Sequence, residues 1–277
     1  MTTPPKTTVT SEVAGNRRKR PIRKWLARSA GAALLVLSIP VTVLLNPSLV
    51  YAHRTVHGRF TVYHASPLDP AFRDRLDRMV LDLDRCELAD PTLEIEICLN
   101  DGSRYPQVCR LFFPTSFASS FSNKMLLMGT VDWKTNRATY HPDTNWNLEQ
   151  LLAHESVHCL QLNTFGAWKA TSFSIYGPAW KWEGYAEYVA RQNEHQKDLP
   201  ANIRRLQDAE ATANHPRRIR FADGTDVSAA YYRHWLLVLY CLDVKKLTFR
   251  QLLDQELQEE QVRTEMLQWY RTAVETP

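Results

Sequence analysis

A chain of 277 residues with 44% apolar and 23% charged content has the make-up of an ordinary globular protein, which excludes a disordered or fibrous one. Its formal charge of +4 belongs to one end: Met1 to Arg28 carries Lys6, Arg17, Arg18, Lys19, Arg20, Arg23, Lys24 and Arg28 against Glu12 alone, so the remainder is mildly acidic. A body with no basic face and no nucleic-acid motif offers no support for DNA or RNA as a partner.

Residues 1–12, rich in Thr and Pro without an apolar period, predict a disordered stretch inside a basic cytoplasmic tail at 1–28. From Ser29 through Ala52 no charged residue occurs, a run long enough for the ~20 residues that cross a bilayer. With Lys and Arg on its N-terminal side, residues 29–52 are expected to be a membrane anchor that makes this a single-pass membrane protein with an extracytoplasmic catalytic domain. Val50-Tyr51-Ala52 after Asn46-Pro47 also has the form of a signal-peptidase site, in which case the body would be secreted. The long basic leader favours the uncleaved anchor, and Pro40 in the span weighs against it. No linker or repeat interrupts residues 55–277, so one domain is expected there.

Strand-like runs follow at Arg59 to Tyr63, Leu93 to Cys98 and Met125 to Val131, with a helical run from Phe72 to Leu88. From Asn147 onward the periods are helical: Leu148 to Leu162, Pro178 to Gln192, Ser228 to Leu242, and Phe249 to about Thr272. Strands first and helices later predict an α+β fold. Cys86, Cys98 and Cys109 are close enough in sequence for one disulfide among them, Cys98 with Cys109 being favoured. Cys159 should be a packed core thiol.

The residues that carry chemistry begin at His154-Glu155-Ser156-Val157-His158. Asn147 with Gln150 reads as a capping box that starts the helix, so the motif lies within it. Spacing of four puts both imidazoles on one face, where they can reach one ion at ~2.0–2.1 Å. Glu155 flanks that face, placed to take a proton from a metal-bound water rather than to bind the metal. In Pro178-Ala179-Trp180-Lys181-Trp182-Glu183-Gly184-Tyr185-Ala186-Glu187-Tyr188, Pro178 suits a first helical turn and Glu183 and Glu187 share one face. They supply what zinc lacks: a third ligand, and a carboxylate to orient a ligating imidazole. Gly184 inside the helix costs ~1 kcal/mol relative to Ala and points to close approach of a neighbouring helix. Ordinary salt bridges are the plainer reading of the two glutamates.

Taken together, these two segments resemble the gluzincin zinc metallopeptidases, the group of thermolysin and the aminopeptidase N relatives, over about 45 residues from Asn147 to Gln192. The resemblance implies a zincin-like fold, Zn2+ on His154, His158 and Glu183, Glu155 as general base, and Glu187 behind a ligand. The 24 residues between His158 and Glu183 exceed the spacing of those relatives and suggest an inserted loop around Asn163 to Gly177. The strand before the site, Leu127 to Trp133, lacks the G-x-M-E-N that anchors a free amine in the aminopeptidases, which favours an endopeptidase or unassigned peptidase. Ala230 to Trp235 resembles the stretch that carries an oxyanion-stabilising group: Tyr232 is the first choice, with Tyr231 and His234 behind it.

The expected function is therefore a hydrolase acting on a peptide or protein substrate through a metal-activated water and the base Glu155. The alternatives are a zincin-fold envelope protein that binds a partner or peptide without hydrolysis, and a membrane-anchored structural protein in which the motif is accidental.

Overall fold

In a computed structural model the described residues are 38–113, 117–141, 144–175, 177–192, 194–212 and 217–275, and the chain parts into two units, Met1–Leu45 and Asn46–Pro277. In the second unit, β1 (His53–His57) and β2 (Phe60–His64) pair antiparallel, and α1 (Phe72–Leu83) buries Phe72, Leu76, Met79 and Leu83 along one helical stripe. Strand β3 (Ile95–Cys98) runs parallel to β2, then come the short α2 (Tyr105–Cys109) and the β4 (Ala118–Phe121) and β5 (Lys124–Leu127) hairpin. Because β5 pairs parallel with β3, the sheet order is β1-β2-β3-β5-β4, and β4 is an edge.

The single strand expected from Met125 to Val131 divides into β5 and β6 (Thr130–Asp132). The break falls at Gly129, where the Phe117 ring and the Thr139 carbonyl come so close that a Cβ would stand 2.4 and 2.7 Å from them. Strands β6, β7 (Arg137–Thr139) and β8 (Trp146–Asn147) form a small antiparallel sheet that leads into α3 (Leu148–Ile175). Asn147 caps that helix, its Oδ1 accepting from Gln150 N at 3.1 Å, but the Gln150 side chain accepts from Arg191 instead of closing the box. The helix also continues past Leu162: the expected inserted loop is helical, bent at Gly166 (φ 78°, ψ 152°), a conformation that only glycine adopts at little cost.

The remaining elements are α4 (Ala179–Ala190), α5 (Glu194–Lys197), α6 (Leu199–Thr212), the β9 (Arg218–Arg220) and β10 (Asp226–Ser228) hairpin, α7 (Ala229–Leu239) continued by a π-helical turn (Tyr240–Val244), α8 (Phe249–Asp254) and α9 (Glu259–Glu275). The last helical run expected from the sequence is thus two helices, because α8 ends where Gln255 turns extended (ψ 138°). Helix α3 packs on α1, β4 and β5 at one side and on α4 at the other, and α4 packs on α7. The fold is mixed α+β, and the helical half meets the sheet along α3.

Two expectations fail. All five cysteines are free and buried, Cys98 and Cys109 included, so the favoured disulfide is absent. Enclosed thiols of this kind pack as small apolar side chains, and burial pushes the Cys109 thiol up to about 11. The membrane span is the second. Residues 1–37 lie outside the described residues, and with them the basic tail and the first part of segment 29–52. In the rest of that segment residues 38–45 are helical, Pro47–Leu49 form a 3-10 turn, and Tyr51 is buried with its hydroxyl donating to the Leu99 carbonyl at 2.6 Å. Among the described residues no helix is long and apolar enough to cross a membrane, which removes the support for a transmembrane helix and for the single-pass, extracytoplasmic placement built on it. Hydropathy counted the apolar residues after Asn46 as lipid-facing, whereas they belong to the folded unit.

Candidate metal centre

One turn of α3 separates His154 from His158, and their Nε2 atoms lie 3.1 Å apart with the rings nearly perpendicular at 86°. Glu183 reaches them from α4, with Oε2 at 3.3 Å from each Nε2. What lets α4 lie in this position is Gly184: a Cβ there would meet the His234 carbonyl oxygen of α7 at 2.4 Å and Val238 Cγ2 at 2.6 Å. This is the close approach that a glycine inside a helix foretold. Gly184→Ala must push α4 off α7, so we expect a loss of about 1–3 kcal/mol, as for other overpacked cores, together with weaker metal binding. Thermal unfolding followed alongside zinc titration checks this, and an unchanged melting temperature would refute the tight contact.

The three atoms form a triangle with edges of 3.1, 3.3 and 3.3 Å. A tetrahedral ion at ~2.0–2.1 Å from each ligand demands edges of about 3.3 Å, so the triangle already has the dimensions of one face of a zinc tetrahedron. Each imidazole is oriented from behind. His158 Nδ1 donates to Gln161 Oε1 at 2.7 Å, and Gln161 in turn donates to the Trp182 carbonyl at 3.2 Å. Behind His154, Nδ1 lies 3.2 Å from Glu187 Oε1. With the proton on Nδ1 of each ring, both Nε2 lone pairs face the carboxylate of Glu183, whose Oε2, like His154 Nδ1, is buried without a hydrogen-bond partner. Three converging acceptors repel one another unless a cation or a proton lies among them.

The electrostatics agree. Burial lowers the His154 pKa, but its contacts with Glu183 and Glu187 outweigh burial and raise it to about 10. For Glu183, burial acts upward and is overcome by the two histidines, which hold it well below the usual carboxylate range. Two buried carboxylates facing a pair of imidazoles make a site that attracts positive charge, and a divalent cation would serve there as well as a proton. Glu187 is 2% exposed, and its charge is offset by Arg191, which donates from Nε at 2.7 Å and lies over the Phe221 and Trp235 rings.

Glu155 stands beside the triangle but not in it, its Oε2 accepting from Ser120 Oγ of β4 at 2.6 Å. Both residues line a cleft of about 460 Å³ together with His154, His158, Glu183 and Tyr231, closed on its apolar side by Phe113, Phe121 and Trp182. Tyr232, the first choice for the oxyanion role, is elsewhere: it is fully buried, and its hydroxyl meets Asn202 Oδ1 at 3.0 Å and the Asn202 carbonyl at 3.2 Å. Its neighbour Tyr231 faces the cleft and stacks on the His154 ring at 5.7 Å. The Glu183 charge and then burial hold its hydroxyl protonated, far above its ordinary value. His234 lines a separate cavity with Pro178 and Trp180, 3.8 Å from Glu259 of α9.

Sequence reasoning missed Gln161, Arg191, Ser120 and the priority of Tyr231. Gln161, three residues after His158, and Arg191, four after Glu187, could have been found from helical spacing. Nothing local marks Ser120. In comparisons with protein families, curated proteins and solved structures, the chain matches none.

Proposed function

We propose that this chain is a zinc metallopeptidase of the gluzincin kind with a zincin-like fold, hydrolysing a peptide or protein substrate. The observation that carries the reading is the triangle of His154, His158 and Glu183, with a carboxylate that is not a ligand beside it in the same cleft. Zinc held by His154, His158 and Glu183 would supply Lewis acidity, polarising a peptide carbonyl and lowering the pKa of a water towards ~7. Glu155 takes that water's proton and passes it to the leaving amine. Tyr231, rather than Tyr232, donates its hydroxyl to the oxygen on which charge develops. The outward side of edge strand β4 offers N–H and C=O groups to an extended peptide, which suits a peptide bond better than a compact small molecule. Gln161, and Glu187 with Arg191, stand behind the two imidazoles, where they would keep Nε2 turned towards a bound ion.

The test is direct. Purified protein should hold about one zinc per chain and cleave members of a peptide library. Chelation should abolish cleavage, and added zinc should restore it. Cleavage that survives full removal of metal would refute the proposal.

A further inference from the structure

Glu155 is gripped from outside its own helix. Ser120 Oγ stands 2.6 Å from Glu155 Oε2 and 2.9 Å from the main-chain carbonyl oxygen of the same residue. A hydroxyl has a single hydrogen, and among its neighbours, the two Glu155 oxygens and the Cys159 thiol, the carboxylate oxygen is the strongest acceptor. The short contact to Oε2 fixes where the Glu155 carboxylate sits, whereas a glutamate without such a partner samples several rotamers. Ser120 hydrogen bonds to none of the three ligand side chains and belongs to β4, the strand at the open edge of the sheet.

We propose that Ser120 is a positioning residue: its hydroxyl occupies Oε2 and holds the Glu155 carboxylate in a single setting, which leaves Oε1 to take the water's proton. The inference rests on the peptidase reading. It also ties the setting of the base to the strand along which a peptide would pair, so substrate and base are registered by one element. Loss of positioning slows proton abstraction without touching a ligand.

The experiment compares the zinc-loaded full chain with Ser120→Ala and Ser120→Thr. Ser120→Ala should keep about one zinc per chain and a KM within about twofold of wild type, because no ligand atom and no strand N–H or C=O is removed. Its kcat should fall about 10-fold, part of the ~10²–10⁴ that a general base contributes. Ser120→Thr, which keeps the hydroxyl, should recover most of that loss. Crystal structures of the same three proteins should show one Glu155 conformer in wild type and Ser120→Thr, and several in Ser120→Ala. An unchanged or raised kcat in Ser120→Ala, or failure of threonine to rescue it, overturns the proposal. If the zinc-loaded wild type cleaves no peptide, the peptidase reading falls, and the crystal structures still decide the hold on Glu155: a single conformer retained in Ser120→Ala overturns it.

Discussion

Glu155→Gln is expected to keep about one zinc per chain and an unchanged melting temperature while peptide turnover falls by at least ~10²-fold, within the range of general acid–base catalysis. The amide has the shape of the carboxylate and its oxygen can still accept from Ser120, so neither fold nor cleft should change. What it cannot do is take a proton. Glu155 contributes no atom to the triangle of His154, His158 and Glu183, so metal content has no reason to follow activity. The neighbouring tyrosines sharpen the comparison. Tyr231→Phe should retain metal and substrate binding but slow turnover, since in the proposed mechanism its hydroxyl acts where oxyanion charge develops. Tyr232→Phe should leave turnover near wild type and lower stability by about 1 kcal/mol, because it strips a buried hydrogen bond from Asn202. If Glu155→Gln cleaves peptides as fast as wild type, the hydrolytic mechanism is wrong, and a protein that holds metal but binds its peptide without cleavage becomes the better reading.

The second large effect concerns the ion. His154→Ala, His158→Ala and Glu183→Ala should each reduce bound zinc sharply, since each removes one corner of the three-residue cluster proposed to hold it. Metal analysis of the three variants after dialysis is the measurement, and undiminished zinc in all of them would sink the assignment. Glu187→Ala should behave differently. Loss of the group that orients His154 costs ~10–100-fold in metal affinity or activity, which added zinc can partly restore. It also leaves the Arg191 guanidinium buried at 4% exposure without its carboxylate, and breaking a buried pair in this way destabilises by about 3–5 kcal/mol. A marked fall in melting temperature should therefore accompany Glu187→Ala and be absent from Glu155→Gln.

Sequence alone determined the features that depend on local spacing. An α-helix brings residues four apart onto one face whatever surrounds it, so His154 with His158 and Glu183 with Glu187 were legible as pairs before any fold was known. The same holds for the strand periods of β2 and β3, for the Asn147 cap, and for Gly184 as a mark of helix contact. Tertiary structure decided what depends on which face meets which neighbour. Tyr231 and Tyr232 are adjacent, about 100° apart around α7, and only the packing of that helix against α4 and α6 turns the first towards the cleft and the second towards Asn202. Ser120 reaches Glu155 across 35 residues of chain through the pairing of β4 at the sheet edge, a relation with no local signature. The apolar stretch ending at Ala52 carried the opposite lesson. Hydropathy registers how apolar a segment is but not what covers it, and here Tyr51 is covered by the fold itself, with its hydroxyl on the Leu99 carbonyl.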